Sequence, residues 1–189
     1  MHAVRPALAA LAVLAGTISA PGCLRRTTPT IQYYQLAVTP PAADLPTNIR
    51  VGGFSAEPPY ATARMAYRPS PYRLGYHTFH RWAANPRALV ATAAREYFAN
   101  EPDDDETTIY LTGRIRRLEA EPESDPPRAI LGLTLVARRG SQRLLRRDYD
   151  VAEPLDGEDQ EAVAAALSRA LDQVFGRFRD DLAAILARE

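Results

Sequence analysis

Ile109-Tyr110-Leu111-Thr112-Gly113-Arg114-Ile115-Arg116 sets Ile109, Leu111, Gly113 and Ile115 against Tyr110, Thr112, Arg114 and Arg116. A period of two is that of a strand with one buried face, because successive side chains leave opposite sides of the backbone. After the loop 121–127, Leu131, Leu133 and Leu135 line one face of a second strand, and a turn around Gly140 leads to a third over Leu144 to Val151. Sequential strands joined by loops this short pair antiparallel most readily, so the stretch reads as a meander.

Towards the C-terminus, Val163, Leu167, Leu171, Val174, Phe178, Leu182 and Ile185 recur at spacings of four and three. This predicts an amphipathic helix from about Gly157 to Arg188, capped by Asp156, with Glu158, Asp159 and Glu161 at the positive end of its dipole. A helix of that length spans about 45 Å, more than a small sheet covers. Its far end is therefore expected to serve a partner or to break near Gly176. Towards the N-terminus, Asn85-Pro86 opens another helix, with Asn85 as cap and Pro86 where a missing N–H costs nothing. Leu89, Ala93 and Tyr97 share one face of it beside Val90, Ala94 and Phe98, and it ends before Pro102. Four short strands precede it, over Ile31–Val38, Ile49–Phe54, Arg64–Arg68 and Tyr72–Tyr76, and their brief connections favour antiparallel neighbours. The pattern itself reads as α+β: one domain over 31–189 with a largely antiparallel sheet and two helices.

The first 22 residues have the parts of a secretory signal: Arg5, an apolar run Ala7 to Ala15, and small residues Gly16 to Gly22. The run is too short to cross a bilayer as a stable helix. Directly after Ala20-Pro21-Gly22 stands Cys23, the only cysteine in 189 residues, with no other thiol to pair with. The four residues resemble the lipobox of bacterial lipoproteins. The resemblance implies that Cys23 is diacylated and becomes the mature N-terminus, with 23–30 as a lipidated tether. Leu24, in place of the Asp that retains lipoproteins at the inner membrane of enteric bacteria, points to the outer membrane with the domain on its periplasmic face.

Without residues 1–22 the chain has 22 arginines, no lysine and 23 acids, a balance that gives no reason to expect nucleic acid as a partner. Asp103-Asp104-Asp105-Glu106 lacks EF-hand spacing and reads as a solvated loop. His77 and His80 alone are too few for a zinc site, and the one thiol is expected to be lipidated. Ser55, Ser70, Ser124, Ser141 and Ser168 have no G-x-S-x-G context, and no glycine-rich phosphate loop occurs. The expectation is a non-enzyme with no metal and no cofactor beyond its acyl chains. Candidate partner-binding residues are Trp82 and Arg81, residue types enriched in interface hot spots, with Tyr60, Tyr67 and Tyr76 from a run of tyrosines. Sheet packing is the alternative role for each.

Tyr33-Tyr34-Gln35-Leu36, Ile49-Arg50-Val51, Pro58-Pro59-Tyr60, Arg64-Met65-Ala66-Tyr67-Arg68, and Tyr76 followed by Arg81-Trp82-Ala83-Ala84-Asn85-Pro86 form an ordered set across residues 31–98. Together with the lipobox this set resembles the ABC-type transport auxiliary lipoprotein family, with Ala61-Thr62 standing where the family often has an apolar residue after the tyrosine. The resemblance implies a single α+β domain with a mixed, largely antiparallel sheet flanked by two helices, and an accessory subunit with no enzymatic activity that docks a periplasmic MCE-domain protein at the outer membrane, as a ring or other homo-oligomer, and helps move lipids or other hydrophobic compounds. A pilot or assembly lipoprotein for a β-barrel or secretin is the alternative.

Overall fold

The computed structural model describes residues 29–41, 48–98 and 107–188. Cys23, the signal segment and the acidic run 103–106 lie outside them. In chain order the elements are β1 (Gln32–Tyr34), β2 (Ile49–Ala56), a 3-10 turn (Pro58–Tyr60), β3 (Arg64–Ser70), β4 (Arg73–Trp82), α1 (Pro86–Tyr97), β5 (Ile109–Glu121), β6 (Arg128–Arg139), β7 (Gln142–Pro154) and α2 (Gln160–Leu186). The strands form one mixed sheet in the order β1-β4-β3-β5-β6-β7, with β2 also on β5.

The meander is as expected: β5 pairs antiparallel with β6 from Ile109↔Arg139 to Glu121↔Arg128, and β6 with β7 from Arg128↔Pro154 to Arg139↔Gln142. The N-terminal strands are different. Of the expected strand 31–38, only Gln32 to Tyr34 enters the sheet, and it runs parallel to β4. Beyond it the chain stays extended along α2, where Ser168 Oγ accepts from the Ala37 N–H at 3.1 Å and Asp172 Oδ1 from the Thr39 N–H at 2.8 Å. Leu36 and Val38 are still buried, so the alternation marks a buried face whose backbone partner is a helix. β2 and β3 do not form a hairpin either. Both run parallel to β5 along the same edge, β2 beside Ile109 to Ile115 and β3 beside Glu119 and Ala120. The 3-10 turn between them steps the chain out and returns it in the same direction, with the Glu57 N–H donating to Ile115 O at 2.8 Å. Only β3 and β4 make the antiparallel hairpin that short connections favour.

β4 is longer than expected and takes in His77, His80, Arg81 and Trp82. Its register against β3 slips between Ala66↔Tyr76 and Arg64↔Arg81. The slip brings His77 and His80 edge to face, with ring centroids 5.7 Å apart.

Both helices lie on one face of the sheet. Phe178 of α2 meets Tyr149 of β7 and Phe98, just past α1, while Tyr97 and Phe98 meet Phe175 at 5.3 and 5.4 Å between ring centroids. Beneath them Leu111, Ile115, Leu131, Leu133 and Leu135 are fully buried. Asn85 Oδ1 accepts from the Arg87 N–H at 3.1 Å and caps α1 as expected. α2 starts later than expected: Gly157, at φ 157°, is still in the turn, and Asp159 rather than Asp156 caps the helix through the Ala162 N–H at 2.8 Å. The far end of α2 neither breaks at Gly176 nor stands free, because Leu182 is buried and Ile185 and Leu186 pack against the core. At 27 residues the helix is about 40 Å long.

Gly113 lies under the Phe54 ring, which a Cβ there would meet at 2.2 Å. Gly113→Ala is expected to cost about 1–3 kcal/mol in urea denaturation, since the ring must leave its place. In a Phe54→Leu background the cost should fall, because the obstructing ring edge is gone.

Candidate functional site

The face opposite the helices is covered by no described helix, and along β5 it presents Arg117, Glu119 and Glu121. The period of two aligns these three after the register shift between Ile115 and Arg117. The Glu119 side chain is fully buried. It accepts hydrogen bonds from Arg68 Nε at 2.8 Å, Arg68 Nη2 at 3.0 Å, Tyr60 OH at 2.7 Å and Arg117 Nε at 2.9 Å. Glu121 accepts from Arg117 Nη2 and from Arg128 Nε, each at 2.7 Å. Burial alone would push the Glu119 carboxyl up. The hydrogen bonds from Arg68, Tyr60 and Arg117 outweigh it and hold the group below the usual carboxylate range. Glu121 is held down in the same way by Arg117 and Arg128. The Tyr60 hydroxyl is pushed up, first by burial and then by its bond to Glu119, and the Arg68 guanidinium is held more firmly protonated by Glu119.

A cleft of about 470 Å³ opens beside this cluster, lined by Arg68, Pro69, Arg117, Glu121, Ser124 and Arg128 among others. Arg68, Arg117, Glu121 and Arg128 are already paired with one another or with Glu119, and Glu123 is the remaining charged residue of the lining. The Ser124 hydroxyl donates to the carbonyls of Glu121 and Pro126, at 2.7 and 2.8 Å. This chemistry is that of a clamp: it ties the 3-10 turn and β3 to β5 at the point where β2 hands over the shared edge.

The structure separates the residues singled out in the sequence. Trp82 is 2 % exposed and belongs to the core, so it offers no surface to a partner. Tyr60 is buried in the clamp. Tyr76 is half-buried on the same face, donating to Pro59 O at 2.9 Å with Arg64 over its ring. Tyr67 points the other way, its ring against Gly75 and 4.7 Å from His77. Arg81 is half-buried, and its Nε has no hydrogen-bond partner among the described residues. His80 Nδ1 lies 2.9 Å from the Tyr34 hydroxyl, and burial followed by the charge of His80 pushes His77 down. Among the described residues no group of three or more metal-ligating side chains occurs, and no helix is long and apolar enough to cross a membrane. Sequence reasoning missed Glu119, Arg68 and Arg117. The adjacent pair Arg116-Arg117, where the polar positions of β5 change from even to odd numbers, is the signal that could have pointed to them.

The fold is similar to two solved structures. Protein XCC0632 from Xanthomonas campestris superposes with a TM-score of 0.68 at 23 % identity, covering 84 % of this chain and 98 % of that one. An uncharacterized protein superposes with a TM-score of 0.62 at 11 % identity, covering 83 % and 99 %. No curated protein matches the sequence. The model of one family does match, over residues 30–177, and the chain therefore belongs to the ABC-type transport auxiliary lipoprotein components.

Proposed function

We propose that this chain is a non-enzymatic subunit, anchored to the outer membrane through acyl chains on Cys23, that docks a periplasmic MCE-domain conduit of an ABC-type system moving lipids or other hydrophobic compounds. The family match over residues 30–177 carries the transport role. The Ala20-Pro21-Gly22-Cys23 lipobox supports the anchor. The clamp on the open face, with its charges internally paired, suits a scaffold better than an enzyme. Arg81, Tyr76 and Tyr67 are the candidate partner contacts with surface to offer, and assembly as a ring or other homo-oligomer would repeat that surface.

The test is a crosslinking pull-down of the full-length lipoprotein from its own membranes, read by mass spectrometry, with Cys23→Ala as control. Recovery of an MCE-domain protein that disappears in the control is the expected result. Recovery of a β-barrel or secretin alone would replace this reading with that of an assembly or pilot lipoprotein.

A further inference from the structure

Tyr72, at the tip of the β3–β4 hairpin, is 99 % exposed, and of the four large hydrophobic residues exposed among those described, Tyr33, Tyr72 and Phe79 belong to β1 or to this hairpin. A solvated tyrosine between Pro71 and Arg73 does nothing for the core. Among the described residues it has no partner that would hold it there.

The register shows which way the tip points. β1 is parallel to β4, with Gln32 beside His80. At Gln32 the backward direction of the chain is therefore that of β4 read backwards, towards Arg73 and the tip. Gln32 is nine residue steps on from Cys23, a reach of at most about 30 Å. From His80 to Arg73 is seven residues of strand, or about 23 Å. The tether is long enough to bring Cys23 level with the tip. The β6–β7 turn at Gly140-Ser141 lies at the other end of the sheet, because β5 runs parallel to β3 and β6 returns from it. Along the 13 residues of β5 the two ends are roughly 40 Å apart.

Residues 58–95 contain six arginines and no acid. Arg68 is held by Glu119, but Arg64, Arg73 and Arg81 are in no ion pair among the described residues. Across the cleft, Glu121 is taken by Arg117 and Arg128, which leaves Glu123 and Asp125 of the β5–β6 loop to offset part of this charge. The exposed ring, flanked by one arginine, is thus the leading feature of the tip. A tyrosine with its ring at headgroup level and an arginine on lipid phosphates is the chemistry of a membrane interface.

We propose that the tip of the β3–β4 hairpin rests on the phospholipid surface that holds the anchor, with Tyr72 among the headgroups and Arg73 on their phosphates. This rests on the lipid-anchored reading above. The contact fixes the orientation of the domain and turns the β6–β7 end away from the bilayer.

The test uses the full acylated chain in phosphatidylethanolamine–phosphatidylglycerol vesicles, with a nitroxide at Ser70→Cys or Ser141→Cys, since an acylated Cys23 does not take the label. A headgroup-bound nickel chelate should relax the label at 70 severalfold more than the label at 141. Adding Tyr72→Ser to the Ser70→Cys chain should remove most of that difference. Equal relaxation at both sites in a chain whose N-terminal mass shows acylation overturns the hairpin contact and leaves the anchor standing. Insensitivity to Tyr72→Ser also overturns it, as does shielding of residue 70 in native membranes but not in vesicles, which would assign the tip to a protein partner. An unacylated Cys23 with both labels off the vesicles overturns the anchor itself.

Discussion

Glu119→Leu is expected to lower the free energy of unfolding by about 3–5 kcal/mol, the loss that follows when one member of a buried ionic cluster is removed and the others stay. Leucine fills much of the space but leaves Arg68 and Arg117 without the carboxylate that both bind. Arg117 keeps Glu121, and Arg68 is 25 % exposed and recovers some water, so the lower part of the range applies. A fall of about 10 °C in Tm corresponds, at 2–4 °C per kcal/mol for a domain this size. Replacing the set together, as Tyr60→Phe, Arg68→Leu and Glu119→Leu, should recover much of the loss, because no buried charge is then stranded. A loss below about 1 kcal/mol for Glu119→Leu alone would show that the carboxylate is hydrated in solution. Acid gives an independent reading. Glu119 and Glu121 titrate in the fold below their ordinary value of 4.5, so the stability they contribute is fully present above that pH and is lost as pH falls through their lowered values. The wild-type chain should therefore lose stability more steeply below about pH 4.5 than Glu119→Leu does.

Phe175→Ala is expected to cost about 3–5 kcal/mol, as fully buried phenylalanines do when the cavity cannot collapse. The ring is fully buried and touches Tyr97 and Phe98 at the end of α1, while Phe178 one turn on continues the stack to Tyr149. Phe175 meets both aromatic rings at the end of α1 and Phe98 alone also reaches Phe178, so the damage should fall first on the join between the two helices. Amide exchange across α1 should quicken more than exchange in β6, whose ladders on both sides are untouched. Equal quickening in both would mean that the cluster supports the whole core and is no specific joint between the helices.

The parts of this fold that could be read in the sequence are those decided by neighbours in the chain. Asn85 and Pro86 cap α1 by contacts within two residues, and the alternation at Ile109 to Ile115 and Leu131 to Leu135 shows directly which side of β5 and β6 is buried. The cap of α2 was misplaced by three residues because Asp156 and Asp159 are chemically alike and only the backbone at Gly157 separates them. The parallel pairings of β1, β2 and β3 were illegible for a different reason. Their partners lie tens of residues away, and a 3-10 turn that returns the chain in its original direction looks in sequence like any Pro-Pro turn. Glu119 was hidden in the same way, since what buries it comes from Tyr60 and Arg68. Trp82 was open in the sequence between a partner contact and packing against the sheet, and its burial at the end of β4 decides for packing.

β1 has a mechanical consequence out of proportion to its three residues. Because it lies parallel to β4 and the chain leaves it towards the hairpin tip, a pull on the N-terminus acts along the strand. The bonds between Gln32–Tyr34 and His80–Trp82 then share the load in shear and do not open one after another like a zipper. What passes beyond them reaches Ala37 and Thr39, whose amides are held by Ser168 and Asp172, and so goes into the longest rigid body in the domain. The strand that contributes least to the sheet is the one through which any tension from the residues before Gln32 enters the fold.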